Sequence, residues 1–152
     1  MSNIVLVTGG FDPIHSGHIS YLKEASKLGS KLIVGLNSDE WLTRKKGNYF
    51  LPFKERATIL KSIKYVNKVI SFDDTDDTAN KVIGLARTFG KGKVIFANGG
   101  DREKNNVPEI DTWGSNPQVE FVFGVGGNKT NSSSKILADW QNNCVQMKRN
   151  VI

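Results

Sequence analysis

Residues 4–36 read IVLVTGGFDPIHSGHISYLKEASKLGSKLIVGL, and the fold is decided in this stretch. Ile4–Val7 is a short apolar, β-branched run stopped by Gly9-Gly10, the pattern of a buried strand that ends in a glycine turn. From Ser16 to Leu28, the apolar or small residues Ile19, Leu22, Ala25 and Leu28 recur at every third position, with Tyr21 beside them. That spacing predicts a helix that starts near Ser16 or Gly17 and ends at Gly29. Lys31–Leu36 is a second apolar strand. Strand, helix and strand in so short a stretch form a βαβ unit, with parallel strands and a right-handed crossover.

The alternation continues outward. A helix is predicted over Phe53–Lys64, with Pro52 just before it, and a short strand within Val66–Phe72. Asp76–Phe89 is amphipathic and carries acidic residues where a helix would start. Lys93–Ala97 reads as a strand that ends at Asn98-Gly99-Gly100, Pro108–Trp113 as a short helix, Val119–Phe123 as a fifth strand and Ser132–Asn142 as a final helix. The expected fold is α/β: a Rossmann-like, doubly wound, parallel five-stranded sheet with helices on both faces. No internal repeat or linker interrupts the 152 residues, so one domain over 1–152 is expected.

Composition narrows the classes of function. With 38% apolar and 24% charged residues the chain reads as soluble and globular. The net charge of +6 suits a polyanion such as a nucleoside triphosphate as well as a nucleic acid. The basic residues are dispersed rather than gathered in an arm, and no nucleic-acid partner is expected. Cys144 is the one cysteine, which excludes an internal disulfide and a cysteine-rich zinc site. No signal-like segment opens the sequence, and no apolar run approaches the roughly 20 residues that span a bilayer. A cytoplasmic location with no membrane partner is therefore expected.

In an open parallel sheet, ligands bind beyond the carboxyl ends of the strands. Three unusual segments fall at such ends: Gly9–His18, Asn98–Asp101 and Gly124–Ser134. In the first, glycines let a backbone approach a phosphate, and the following helix aims its N-terminus at the same place. His15 and His18 flank Ser16-Gly17 there, and two imidazoles would donate N–H groups to phosphate oxygens as charge builds on them. Gly17 would leave room for the nucleotide to pass over the turn. Against this stands the plainer reading of one structural and one exposed histidine. A zinc pair lacks a further cysteine or histidine to complete it.

GGFDPIHSGH resembles the (T/G)GxFDxxHxGH signature of the cytidylyltransferase-like nucleotidyltransferases. The resemblance covers nearly the whole chain. HISYLKEASKLGSKLIVGLNSDE resembles the stretch that follows the signature in heptose 1-phosphate adenylyltransferases and glycerol-3-phosphate cytidylyltransferases. RKKG and KERATILKSIKYVNKVI resemble the middle section of that family, and NGGD the late GGD of the heptose enzymes. SSSKIL stands where the family carries a Ser-Thr-Thr-x-Ile helix start.

The resemblance implies that backbone groups of Gly10 and Phe11 meet the nucleotide phosphates. It implies that His15 and His18 contact the triphosphate, with His18 the stabiliser of the transition state. Lys46, before Gly47, would bridge the phosphates of the two substrates, with Lys45 as the alternative. Gly100 and Asp101 of NGGD would belong to the nucleotide site. Ser132, Ser133 and Ser134 would hold the β- and γ-phosphates, although a plain helix cap also accounts for them. Arg56 is either a site residue or a structural ion pair, and Asp12 fits a turn-stabilising role better than a metal ligand. Trp41, Tyr49, Phe50 and Trp113 are candidates for an acceptor pocket, against simple packing roles.

The implied reaction moves a nucleoside monophosphate from an NTP to a phosphorylated sugar or polyol and releases pyrophosphate. It needs positioning and charge neutralisation rather than a protein nucleophile. Mg²⁺ would accompany the NTP, held by its oxygens and by water. NGGD and FDPIH resemble the adenylyl-transferring relatives more closely, which implies ATP rather than CTP. The loop Gly126–Asn131 lacks the arginine of the cytidylyltransferase pattern. Relatives of this kind often form homodimers. The rival readings are a glycerol-3-phosphate cytidylyltransferase-like CTP enzyme, a nucleotide-binding module without turnover, and a nucleic-acid binder.

Overall fold

The computed structural model describes residues 2–100, 102–103, 105–127 and 131–150, the last three by backbone alone. Five strands form one parallel sheet: β1 (Ile4–Gly9), β2 (Lys31–Leu36), β3 (Lys68–Ser71), β4 (Val94–Gly99) and β5 (Val119–Val125). The helices are α1 (Ser16–Ser26), α2 (Asp39–Lys46), α3 (Phe53–Lys61), α4 (Asn80–Ala86), α5 (Glu109–Trp113) and α6 (Ser133–Asn150). The strand order is β3-β2-β1-β4-β5. The chain winds outward from β1 through β2 to β3, then returns to the other side of β1. The order reverses between β1 and β4, which opens a crevice at their carboxyl ends. This is a Rossmann-like α/β fold.

The period-2 alternation of β1 builds two cores. Val5 and Val7 face one layer, with Leu22 and Ala25 of α1 and Ala57 and Leu60 of α3. Ile4 and Leu6 face the other, with Val82, Ile83 and Ala86 of α4 and with Phe96 and Val119. Leu22, Leu60, Val82 and Ile83 have no exposed surface, and each contributes about 1.5–3 kcal/mol by leaving water.

The helix boundaries differ from the sequence expectations in informative ways. α1 ends at Ser26, and Leu28 lies in the turn after it, its N–H donating to Ala25 O. α2 was not expected. Only Leu42 of its eight residues is buried, so it has no apolar stripe, and its caps define it instead. Ser38 Oγ accepts from Trp41 N–H, Asp39 and Glu40 open the helix, basic residues close it, and Gly47 ends it at φ 90°. The helix expected from Asp76 begins at Asn80. Asp73 and Asp76 instead accept from the N–H and hydroxyl of Thr75 and of Thr78, closing local turns in the preceding loop. α6 runs on to Asn150, well past Asn142.

Candidate active site

The turn after β1 carries the site. Phe11 adopts a left-handed φ of 50° and buries its ring, which lies 4.9 Å from the His18 ring between centroids. Asp12 is 1% exposed, and its two oxygens accept from Phe50 N–H at 2.6 Å and Leu51 N–H at 2.7 Å. It therefore pins the loop after α2 onto the turn.

His15 is the N-cap of α1. Its Nδ1 accepts from Gly17 N–H at 3.1 Å, and its own backbone N–H donates to His18 Nδ1 at 3.2 Å. The two rings stack with centroids 3.9 Å apart. Each Nδ1 acts as an acceptor, so the neutral tautomer of each ring carries its proton on Nε2. Gly17 is explained by packing: a Cβ there would stand 2.8 Å from His15 Cε1. The His15 ring packs against this glycine, and Gly17 also lines the cavity.

Arg56 is 1% exposed and bonds to four other residues. Its Nη1 donates to Gly10 O at 3.0 Å and to Asn37 O at 2.8 Å. Its Nε donates to Leu51 O at 2.8 Å, and its Nη2 meets Asp39 Oδ1 at 2.6 Å. Of the two roles open to it, the structure places it as a structural tie at the ends of β1 and β2. Asp74, also buried, accepts from Asn37 Nδ2 and from the N–H and hydroxyl of Ser38, fastening the α2 N-terminus to the loop after β3.

These elements enclose a cavity of about 490 Å³ at the carboxyl ends of β1 and β4. His15, His18, Lys45 and Lys46 line it. Gly10, Phe11, Gly17 and Gly100 line it too, as do Ser132, Ser133 and Ser134 at the tip of α6. Lys46 Nζ donates to Asp12 O at 3.3 Å, whereas Lys45 Nζ lies 4.6 Å from the centre of the Trp41 ring. Ser132 Oγ caps α6 by accepting from Lys135 N–H at 3.0 Å. Ser133 Oγ donates to Pro13 O at 2.7 Å, which joins the tip of α6 to the turn after β1. Trp41 lines the cavity, Trp113 packs against the second core, and Tyr49 and Phe50 are exposed. Asp101 and residues 128–130 lie outside the described residues.

Sequence reasoning placed Asn98 in a strand-end segment but missed Tyr21, Asn37, Arg102 and Glu109, all at the cavity. Tyr21 donates its hydroxyl to Ala97 O at 2.5 Å, and burial pushes its pKa up while Arg102 opposes the shift. Asn37 and Asn98 directly follow or close apolar strand runs, a positional signal available in the sequence. Arg102 and Glu109 carry no such signal. Among the described residues no group of three or more His, Cys, Asp or Glu side chains is placed to hold a metal ion. No helix among them is long and apolar enough to cross a membrane.

Residues 6–125 match the family described as cytidylyltransferase-like. The bifunctional protein HldE of Citrobacter koseri is 34% identical over 140 residues, which are 90% of this chain and 28% of that protein. HldE of an Enterobacter species is 33% identical over 142 residues, with 91% and 28% covered. The chain thus spans about 28% of the length of these curated relatives. Among solved structures, the lipopolysaccharide core biosynthesis protein from Thermoplasma volcanium superposes with a TM-score of 0.59 at 26% identity, covering 81% of this chain and 96% of that one.

Proposed function

The chain belongs to the cytidylyltransferase-like family of nucleotidyltransferases, and from that premise we propose that it transfers AMP from ATP to the phosphate of a sugar or polyol phosphate. The observation that carries the reading is the convergence of two Nε2–H imidazoles, the serine-capped tip of α6 and Lys46 on one cavity. Helix N-termini and neutral N–H donors suit a polyanion that would otherwise repel a second anion. The structural neighbour named for lipopolysaccharide core biosynthesis fits an acceptor of the sugar-phosphate class.

In this reading an acceptor phosphate oxygen attacks the α-phosphorus in line. The new P–O bond forms as the bond to the β-phosphate oxygen breaks, and the electron pair leaves with pyrophosphate. His18 Nε2–H stabilises the charge that grows on the α-phosphate oxygens, and His15, stacked on it, holds the neighbouring phosphate. Lys46 bridges the phosphates of the two substrates, and Ser132 to Ser134 receive the β- and γ-phosphates. Mg²⁺ supplies further charge neutralisation when the nucleotide carries it. The donor set fits that arrangement: both oxygens of Asp12, the acid on the β1 turn, are engaged by backbone N–H groups, so the ion would be held by phosphates and water rather than by this carboxylate.

Pyrophosphate release is the test, with ATP or CTP offered in turn with glycerol 3-phosphate and a set of hexose and heptose 1-phosphates. ATP with a sugar 1-phosphate should give the fastest release. Release confined to CTP with glycerol 3-phosphate would reverse both assignments. Nucleotide binding without release from any pair would leave a binding module.

A further inference from the structure

Glu109 is an acid in the cavity wall that the chemistry above does not use. It opens α5, is 2% exposed and lines the same cavity as the histidines. Its Oε1 accepts from Ala79 N–H at 3.3 Å, at the start of α4, and lies 3.7 Å from Arg102 Nη1. Its Oε2 is buried and has no hydrogen-bond partner among the described residues. Asn80 Oδ1 and Trp113 Nε1 are unpartnered as well, but neither residue lines the cavity.

Capping α4 accounts for one carboxylate oxygen and not for the second. A buried acceptor left unmatched is costly, and native structures hold few of them, mostly where a ligand or water completes the set. The second oxygen needs a donor, and of the three unpartnered atoms it belongs to the one residue that lines the cavity.

We infer that Glu109 reads the hydroxyl groups of the phosphorylated acceptor and so selects a polyhydroxylated one. The inference rests on the nucleotidyltransferase reading and deepens it. Position supports the acceptor over the nucleotide. The triphosphate in this reading meets the tips of α1 and α6, whereas Glu109 is bonded to Ala79 at the start of α4, and Phe72 and Asp77 between β3 and α4 line the same cavity. Charge supports it too. A carboxylate repels phosphate groups, so the part of the ligand beside it is the uncharged body that bears donors. A site that hydrogen-bonds a substrate hydroxyl rejects the analogue lacking it far more strongly than an apolar pocket would.

Glu109→Gln separates this role from capping. Glutamine keeps the volume and an Oε1 acceptor for Ala79 N–H, and replaces Oε2 with a donor. Steady-state pyrophosphate release is measured with ATP, the best of the sugar and polyol phosphates above, and each of its monodeoxy analogues. In parallel, the thermal shift on adding ATP reports nucleotide binding. Glu109→Gln should raise KM for the acceptor about tenfold or more while leaving the ATP shift unchanged. One deoxy analogue should be penalised about tenfold or more by the native enzyme and only slightly by Glu109→Gln, the signature of a broken pairwise contact. An unchanged acceptor KM overturns the inference and leaves the transferase standing. A weakened ATP shift with the acceptor KM intact overturns it by assigning the carboxylate to the nucleobase. Should the variant fail to fold, the native enzyme still decides: turnover of every deoxy analogue within twofold of the parent overturns the role. Absence of release by the native protein with every acceptor overturns the transferase reading and this inference together.

Discussion

The two imidazoles at the start of α1 are held by their own backbone. His18 Nδ1 accepts from His15 N–H, which leaves its proton on Nε2. Removing the ring deletes one preorganised donor and one capping contact, and the two losses are separable. His18→Ala should lower kcat by about 100-fold or more, as for loss of a single oxyanion donor, and stability by only about 1 kcal/mol. Pyrophosphate release and urea unfolding of the same preparation check both, and near-normal turnover in the folded variant would refute the role. Tyr21 gives a second prediction at this scale. Burial raises its pKa above the ordinary 10.0, so the native state keeps a proton that the unfolded chain releases. Its contribution is complete below pH 10 and is lost as pH rises beyond it, with a slope of up to about 1.4 kcal/mol per pH unit. Tyr21→Phe should therefore lose less of its urea midpoint between pH 10 and 11 than the native protein does.

At the scale of elements, α2 shows how caps define a helix that packing barely supports. Gly47 closes it in the left-handed region, and beyond its chain neighbours none of the described residues comes within 4 Å of where a Cβ would stand. The penalty for a side chain there is one of backbone conformation alone. Gly47→Ala should destabilise the protein by about 1–2 kcal/mol, readable as a lower urea midpoint at unchanged slope. The cap residues of α2 are legible in the sequence, but the helix offers no apolar periodicity, because only one of its side chains is buried. The opposite error occurred before α4. Acidic residues that look like a helix start close two side-chain turns, because Asp bonds a threonine two positions on as readily as it caps a helix. The serine cap of α6 was read correctly from SSSKIL, since capping involves residues three apart in the chain.

At the scale of the molecule, the strand order β3-β2-β1-β4-β5 brings the segments after β1, β4 and β5 to one crevice. A ligand that binds only the folded state stabilises it by mass action, about 2.7 kcal/mol at a hundredfold excess over Kd. ATP with Mg²⁺ should raise the melting temperature more than CTP, GTP or UTP at equal concentration in a differential scanning experiment. An equal or larger shift with CTP would reverse the assignment of the nucleotide.

The order of amino acids alone determined the alternation of strands and helices, the parallel sheet and the grouping of His15, His18 and the serine run at strand ends. Periodicity, turn chemistry and capping involve neighbours in the chain, so they can be read along it. Only the tertiary structure decided that Gly17 yields to an imidazole, that Arg56 binds Gly10 O across 46 positions, and that Glu109 meets Ala79 across 30 with one oxygen unmatched. The physical reason is that burial and hydrogen-bond satisfaction belong to the packed space between elements. The Arg56 and Glu109 contacts join residues from different elements, and no local pattern encodes which donor finds which acceptor there.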